Sequence, residues 1–444
     1  MSMVEVELSE PSKLITTRAS QSTRGYSHGL CLIRLHGMPL GMIDLELASS
    51  GSGDDRGAEN MHDSQGFRSE KLAQRIWEEF GPQIRDHLAK DGLPVPDSLP
   101  IMGLPSGSDA TCIVEREAVR ASARPISIVV GTHDRTASME TCLRSLLELD
   151  YPDYEILVVD NAPTGNATKD MLRQPEFAGR LSYLREDRPG LAAAHNVGIG
   201  HATGEIIAFT DDDVTADRFW LLELARGFRQ AELVACVTGL IVPAELETYA
   251  QIVAERFWRF NKGFAERVFD STTPGDDPLY PYAAGIFGSG ANMAFDAAML
   301  RAEGGFDPAV GIGTPARGGD DLSAFFNVIA SGHRLVYNPG AIVHHCHHAQ
   351  YAALKRQAFG YGVGLTAYLT KTVVDDPGRL RHLARLGREG LRRALDPRPA
   401  TASAEEGDWP ADLARAERLG MMLGPAAYTW SRLKAGRRTG SGSS

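Results

Sequence analysis

Three consecutive carboxylates, Asp211-Asp212-Asp213, follow directly on the apolar run Ile206-Ile207-Ala208-Phe209. The run reads as a buried strand, so the acids sit at its end. Like charges this close repel. A fold tolerates them mainly where a cation, or a ligand carrying one, offsets the charge. In an extended chain, residues two apart point the same way, so Asp211 and Asp213 can share one ligand. Their oxygens suit Mg2+ or Mn2+, ions that keep coordination positions open for substrate phosphates. An acidic loop supplying N-cap aspartates to a helix near 217–230 fits the same residues. Local sequence does not choose between the two.

The elements around the triplet bear on that choice. From Arg124 onward, short apolar runs alternate with helical patterns. Ile126–Val130, Glu155–Val159, Leu181–Arg185 and Glu205–Phe209 read as strands. A helix carrying Met139, Cys142, Leu143 and Leu146 lies between the first two, and a small-residue helix over Leu191–Gly200 precedes the last. This alternation predicts an α/β fold with a doubly wound, mostly parallel sheet. Ligands bind such sheets beyond the carboxyl ends of the strands. Thr132–Arg135, Asp160 and Asp211–Asp213 all fall at that edge, which favours the ligand reading of the triplet.

The totals narrow the function. The chain has 444 residues, 43% hydrophobic and 23% charged, as for an ordinary globular protein of two or three domains. A net charge of −11 argues against a nucleic-acid partner, which needs a basic surface. Five scattered cysteines without a CxxC pair exclude a disulfide framework and a zinc ribbon, and predict a reducing, cytoplasmic setting. The acidic start, MSMVEVELSEPSK, predicts no secretory signal, and no apolar run reaches the roughly 20 residues of a membrane span. GxGxxG after the first strand, GxxxxGK[ST] and GxSxG are all absent, against dinucleotide, P-loop and serine-hydrolase chemistry.

Eight motifs occur in order: ISIVVGTHDR, EILVVDNAP, RPGLAAAHNVGI, GEIIAFTDDDV, FGSGANMAFD, GGFDP, GGDDL and YNPGAIVHH. Over residues 124–348 this series resembles glycosyltransferase family 2, nucleotide-sugar enzymes of GT-A fold. The resemblance implies an inverting, metal-dependent hexosyltransferase-type enzyme. It would move a sugar from a nucleotide-diphospho-sugar, a UDP-sugar by default, to a carbohydrate, lipid-linked, peptide or small-molecule acceptor. Thr132, Asp134 and Arg135 match the turn lining the nucleotide, and Asp160 the aspartate that accepts from the base. Asp211 and Asp213 match the outer members of the metal-binding DxD motif, with Mn2+ or Mg2+ as cofactor. Asp212 supports the ribose contact, and His345 matches a metal or diphosphate contact. Asp321, with Asp320 beside it, matches the acidic motif that supplies the catalytic base. Gly290 and Asn292 match the loop near sugar and acceptor. His195 stands where the family commonly has an arginine at the diphosphate.

These assignments make chemical sense. The leaving nucleoside diphosphate gains negative charge, which a cation on Asp213 stabilises. An acceptor hydroxyl attacks once a base such as Asp321 takes its proton. Asp321 also begins an apolar helix (Leu322, Phe325, Phe326, Ile329), so helix capping is its other possible role. Phe257, Trp258 and Phe260, interleaved with Arg256 and Arg259, can stack on a sugar or simply pack as an amphipathic helix. Two rival functions share parts of this pattern: a sugar-phosphate nucleotidyltransferase, for which GTHDR is a poor triphosphate loop, and a non-catalytic sugar-nucleotide-binding protein.

The expected domains are a small α+β region over 1–120, a GT-A domain over 121–349 and a helical extension over 350–444. Residues 1–24 read as loose, and 48–66, rich in Ser, Gly and Asp, as a flexible loop. A helix over Ser69–Lys90 is open to a break at Gly81-Pro82. Pro377–Leu395 is a basic helix that could lie on an anionic membrane at the inner face or pack on the protein. The tail GRRTGSGSS reads as disordered. His344–His348 could suggest zinc, but with no CxxC or HExxH partner a single histidine at the active-site metal is the better reading.

Overall fold

The structure is a computed structural model that describes residues 2–10, 14–16, 28–46, 70–258, 260–272, 277–395 and 410–439. The expected loop over 48–66, Arg259 and the last five residues lie outside the described residues. The chain divides into two compact units. The first is Met1–Ser122 with Pro243–Glu247 and Gly263–Ala265, and the second is the rest, including the C-terminal helices.

In the first unit, β1 (Ser2–Glu7), β2 (Leu14–Thr16), β3 (His28–Leu35) and β4 (Met38–Glu46) form a sheet ordered β2-β1-β3-β4. The N-terminal stretch is therefore not loose throughout: β1 pairs parallel to β3 through backbone hydrogen bonds, and Val4, Val6 and Leu8, two apart, point into the core. β3 and β4 are antiparallel, joined at His36-Gly37, both with positive φ (53° and 82°), as a tight hairpin turn requires. The helix Glu70–Lys90 continues through Pro82 without ending. Its Ile76, Phe80, Ile84 and Leu88 are buried against Cys31, Ile33 and Ile43 of the sheet. That apolar face holds the helix where propensity alone would interrupt it. A shorter helix, Thr111–Ala121, follows.

The second unit is built on one nine-stranded sheet. Its strands are β5 (Ile126–Thr132), β6 (Tyr154–Asn161), β7 (Ser182–Glu186), β8 (Ile206–Asp211), β9 (Val214–Ala216), β10 (Val234–Pro243), β11 (Arg267–Phe269), β12 (Met293–Asp296) and β13 (Arg334–His345). The order is β11-β13-β10-β12-β8-β5-β6-β7, with β9 on β13. The expected doubly wound parallel arrangement is the contiguous set β8-β5-β6-β7. Beyond β8 the sheet is extended by antiparallel pairing, β8 to β12 and β12 to β10. Every residue of β5 is buried, as expected for a central strand covered on both faces. The helix Leu191–His201 lies close on β5, because a Cβ at Gly198 would come within 2.5 Å of Val129. Asn292, just before β12, is fully buried. Its amide donates to the carbonyls of Leu240 (3.0 Å) and Ala341 (2.8 Å) and accepts from the Trp220 indole (2.9 Å).

The glycine- and aromatic-rich stretch around Ala358–Leu369 lies within the helix Tyr351–Asp375. It packs on the helix Ala411–Thr439, which continues through the first part of the tail expected to be disordered. Glycines make this contact close. A Cβ at Gly362 would stand 1.9 Å from the Glu417 carbonyl oxygen, and one at Gly420 would stand 2.2 Å from that of Phe359. The basic helix Arg379–Leu395 packs Leu383 and Leu386 against the main core, while Leu380 stays 57% exposed. Its packing reading is thereby supported. Among the described residues no helix is long and apolar enough to cross a membrane.

Gly420→Ala tests the helix contact. Alanine favours the helix by roughly 0.8–1 kcal/mol, but the overpacked backbone should cost about 1–3 kcal/mol. The expected result is a lower unfolding midpoint in denaturant, whereas an unchanged or higher midpoint would mean that the two helices are not held this closely.

Candidate functional site

The parallel register sets the site's floor. Gly131 pairs with Asp211 and Thr132 with Asp160, so the ends of β5, β6 and β8 lie level. Just beyond β8, the short β9 pairs antiparallel with the end of β13, placing His345 opposite Val214. The Cys346 N–H donates to the Asp213 carbonyl at 3.0 Å. Backbone pairing thus carries His345 to the acidic triplet, with Nε2 3.4 Å from Asp213 Oδ1.

Each carboxylate of the triplet has a different environment. Thr132 Oγ1 donates to Asp212 Oδ2 at 2.7 Å. The Arg135 guanidinium bridges the other two acceptors, Nη1 to Asp212 Oδ1 at 2.8 Å and Nη2 to Asp213 Oδ2 at 2.7 Å. Burial pushes Asp211 up to about 7, helped by the charge of Asp213. Burial also lifts Asp212, to about 6, against the opposing pull of Arg135 and Thr132. For Asp213, burial is outweighed by His345 and Arg135, which hold it well below the usual carboxylate range. Burial lowers His345, but Asp213 outweighs that and raises it.

Asp211, Asp213 and His345 each bring one ligand atom within 4.8 Å of the others. Asp213 Oδ1 has only the long 3.4 Å approach of His345 Nε2, and buried His345 Nδ1 makes no hydrogen bond. Two carboxylates and an imidazole with unmet lone-pair capacity fit a divalent cation of the Mn2+ or Mg2+ kind.

The second acidic pair begins the helix Asp320–Ala330, entered through left-handed Gly319 (φ 88°). Gly290 N–H donates to Asp321 Oδ2 at 3.0 Å, and Leu322 N–H to Oδ1 at 2.8 Å. Asp321 therefore has some capping character, yet its carboxylate is fixed from two sides. Burial raises Asp321 against these backbone bonds and the nearby Lys262. Burial also lifts Asp320 to about 7, and the charges of Asp321 and Asp211 add to it. That Asp320 feels Asp211 puts the two acidic groups on one side of the unit. Lys262 is itself lowered to about 8 by burial.

Asp160 is buried, accepting from Tyr183 (3.1 Å) and Thr168 (3.3 Å), and burial raises it. Asp134, at a left-handed φ of 53°, accepts from the Thr164 hydroxyl at 2.7 Å and so clips the β5 turn to the loop after β6. Trp258 ends the helix Tyr249–Trp258, its ring edge-on to Tyr361 at 4.8 Å. Tyr361 in turn lies within range of the charges of Asp321, Asp211 and Asp213. Phe257 is buried in a separate apolar cluster, and Phe260 stands 5.7 Å from His345 and 5.4 Å from His347.

Two expectations are corrected. Asn292 does not face a sugar or acceptor, because its amide is occupied on both ends inside the sheet. His195 is no diphosphate contact: it is buried between Phe209 and Phe306 at 4.9 and 5.0 Å, and burial lowers it to about 3, so the ring is neutral. Of the histidine run, His345 joins the acidic cluster and His347 pairs with Glu255 at 3.0 Å. Tyr361 and Lys262 were missed; the FGYGVG segment signalled only small and aromatic residues, and nothing local marked the lysine.

Residues 127–284 match the family described as Glycosyl transferase family 2. Glycosyltransferase AglE of Haloferax volcanii is 35% identical over 100 residues, 22% of this chain and 33% of its own length. The pre-mycofactocin glycosyltransferase of Mycobacterium tuberculosis is 25% identical over 259 residues, 57% of this chain and 49% of its own. Succinoglycan biosynthesis protein ExoM of Rhizobium meliloti is 29% identical over 231 residues, 49% of this chain and 66% of its own. The chain thus spans about a third to a half of the first two. The solved structure of a mannosyltransferase from Pyrobaculum calidifontis with GDP-Man and Mn2+ aligns over 75% of this chain and 84% of its own, at 19% identity and a TM-score of 0.38. The matched residues, 127–284, include nearly all of β5 and all of β6 and β8, with the turns that carry Asp134, Asp160 and Asp211–Asp213, and over that stretch the chain is similar to glycosyl transferase family 2.

Proposed function

We propose that this chain is an inverting, divalent-metal-dependent glycosyltransferase. It transfers a sugar from a nucleotide-diphospho-sugar, in the first instance a UDP-sugar, to an acceptor hydroxyl. The observation that carries this reading is the trio Asp211, Asp213 and His345, with ligand atoms within 4.8 Å of one another, on the same side as a second carboxyl pair, buried Asp320 and half-buried Asp321. When bound there, a divalent cation supplies a positive charge to the diphosphate leaving group.

The protein's own groups do the rest. Asp160 accepts from the nucleobase, and the β5 turn with Thr132, Asp134 and Arg135 shapes the nucleotide site. Arg135 bridges Asp212 and Asp213 and orients both. Asp321, held by the N–H groups of Gly290 and Leu322, keeps a lone pair for the acceptor proton. As that proton moves to Asp321, the acceptor oxygen bonds the anomeric carbon. The carbon–oxygen bond to the diphosphate breaks with its electron pair, and in-line attack inverts the centre. Burial raises Asp321 and with it its basicity, and the charge of Asp321 in turn raises Asp320 beside it. Trp258 and Tyr361 offer an aromatic wall for a sugar ring. The acceptor is a carbohydrate, lipid-linked sugar, peptide or small molecule. Five free thiols fit a reducing cytoplasm.

A panel of nucleotide sugars with Mn2+ or Mg2+, read by donor turnover and thermal shift, tests the proposal. Asp321→Asn should lose transfer by roughly 10²–10⁴-fold while keeping metal-dependent nucleotide binding. Asp213→Asn should lose the metal dependence itself. Wild-type turnover by Asp321→Asn, or nucleotide binding indifferent to metal, would refute the assignment.

The pH dependence of metal binding follows from Asp211 and His345. A proton held on Asp211 up to about 7, and on a His345 raised by Asp213, must leave before a cation takes those atoms. Apparent Mn2+ affinity should therefore rise as pH increases through about 7, and Asp211→Asn should flatten that rise. Calorimetric titration at several pH values checks this, and affinity that falls with pH would contradict it.

A further inference from the structure

The first unit contains a second cluster of metal-ligand side chains. His36 comes from the β3–β4 turn, His87 and Asp91 from the end of the helix Glu70–Lys90, and Cys112 from the start of the helix Thr111–Ala121. We propose that His36, His87, Asp91 and Cys112 form a closed, structural zinc site.

The distances support this. Cys112 Sγ lies 3.6 Å from His36 Nδ1 and 3.7 Å from His87 Nε2, and the two nitrogens are 3.2 Å apart. Asp91 Oδ2 is 2.9 Å from His36 Nδ1, 3.0 Å from His87 Nε2 and 2.9 Å from the sulfur. Tetrahedral Zn2+, at about 2.0–2.1 Å from nitrogen or oxygen and about 2.3 Å from sulfur, spaces its donors roughly 3.3–3.6 Å apart. The two nitrogens and the sulfur thus lie at about the spacing zinc requires, while Asp91 Oδ2, at 2.9–3.0 Å from all three, would draw back by about 0.3–0.7 Å on binding.

The surroundings argue the same way. His36 Nε2 lies 3.0 Å from the Pro105 carbonyl, which can only accept, so Nε2 carries the hydrogen. In the neutral ring Nδ1 is then a lone pair, and it faces a carboxylate oxygen, a second imidazole nitrogen and a sulfur. One cation satisfies all four at once. A carbonyl holding the far nitrogen is also the usual outer-shell support of a metal-bound histidine. Asp91 is oriented by the Cys112 N–H, which donates to Oδ1 at 2.9 Å. The His36 backbone is fixed by Glu7, whose carboxylate accepts from the N–H groups of His36 and Gly37, both at 2.8 Å. Arg116 donates to the His36 carbonyl at 3.1 Å.

Two imidazoles, a carboxylate and a thiolate suit Zn2+ better than Mg2+ or Ca2+. Four protein donors leave no position for substrate, so the site is structural rather than catalytic. On binding, Cys112 gives up its thiol proton to solvent and becomes the thiolate ligand. The ion would staple a hairpin turn to two helix ends, a device small units use where their core is limited.

The test uses the full chain. Elemental analysis should find about one zinc per chain, retained in Asp213→Asn, which alters only the other cluster. After chelation the wild type should unfold at a lower temperature. It should take up Co2+ with the intense visible bands of tetrahedral coordination and a thiolate-to-cobalt charge-transfer band. Cys112→Ser should lose that band and weaken Co2+ binding by more than the roughly 10–100-fold that outer-shell changes cost. Should Cys112→Ser fail to fold, the wild-type cobalt spectrum decides alone. A protein that takes up neither zinc nor cobalt, or a cobalt spectrum without the thiolate band, would overturn the proposal and leave a protonated imidazole–carboxylate–thiol network in its place.

Discussion

The mutual repulsion of carboxylates held out of water is the constraint on which the second unit's chemistry depends. Asp211, Asp212 and Asp213 follow one strand, and Asp320 and Asp321 begin a helix whose first acid feels Asp211. Gathering five acids on one side of a sheet is unfavourable unless something offsets them. Arg135 and His345 offset part of it, and they do so at Asp213, whose carboxyl is held ionised while Asp211, Asp212 and Asp320 are raised toward neutrality. The imbalance separates the acids electrostatically: Asp213 stays ionised, whereas Asp211, Asp212 and Asp320 are pushed toward the protonated form.

That sorting depends on backbone geometry more than on the side chains themselves. Parallel pairing of β5 with β6 and β8 sets Thr132, Asp160 and Asp211 on one edge. Antiparallel pairing of β9 with β13 brings His345 across from a distant part of the chain. Asn292, far from any ligand role, ties β10, β13 and Trp220 together from inside the sheet. The rigid sheet therefore positions the strand-borne groups. At the helix N-terminus, two backbone N–H groups, those of Gly290 and Leu322, fix Asp321.

Much of this was legible in sequence because it is local. An apolar strand ending in Asp211–Asp213 announces itself, and so does the alternation of strands and helices that puts Asp160 and Thr132 on the same edge. Motif order singles out Asp320-Asp321 at the start of a helix, and that is where the structure has them. What could not be read depended on contacts between distant residues. Asn292 stands in a motif beside Gly290, and only the sheet's interior shows that its amide is occupied. Helix Glu70–Lys90 runs through Gly81-Pro82 because its apolar face is buried, which local propensity cannot register. Strand β1 needed β3 as a partner. The His36, His87, Asp91 and Cys112 cluster has no spacing signature, since its ligands come from three elements up to 76 residues apart.

The central claim is that Asp211, Asp213 and His345 together hold one divalent cation. Pulsed electron-paramagnetic-resonance spectroscopy of Mn2+ bound to the full chain measures this directly. The account predicts a nitrogen hyperfine coupling from a directly bound imidazole that disappears in His345→Ala, with Mn2+ binding itself lost in Asp213→Asn. Bound Mn2+ with no nitrogen coupling, or a coupling unchanged in His345→Ala, would contradict it.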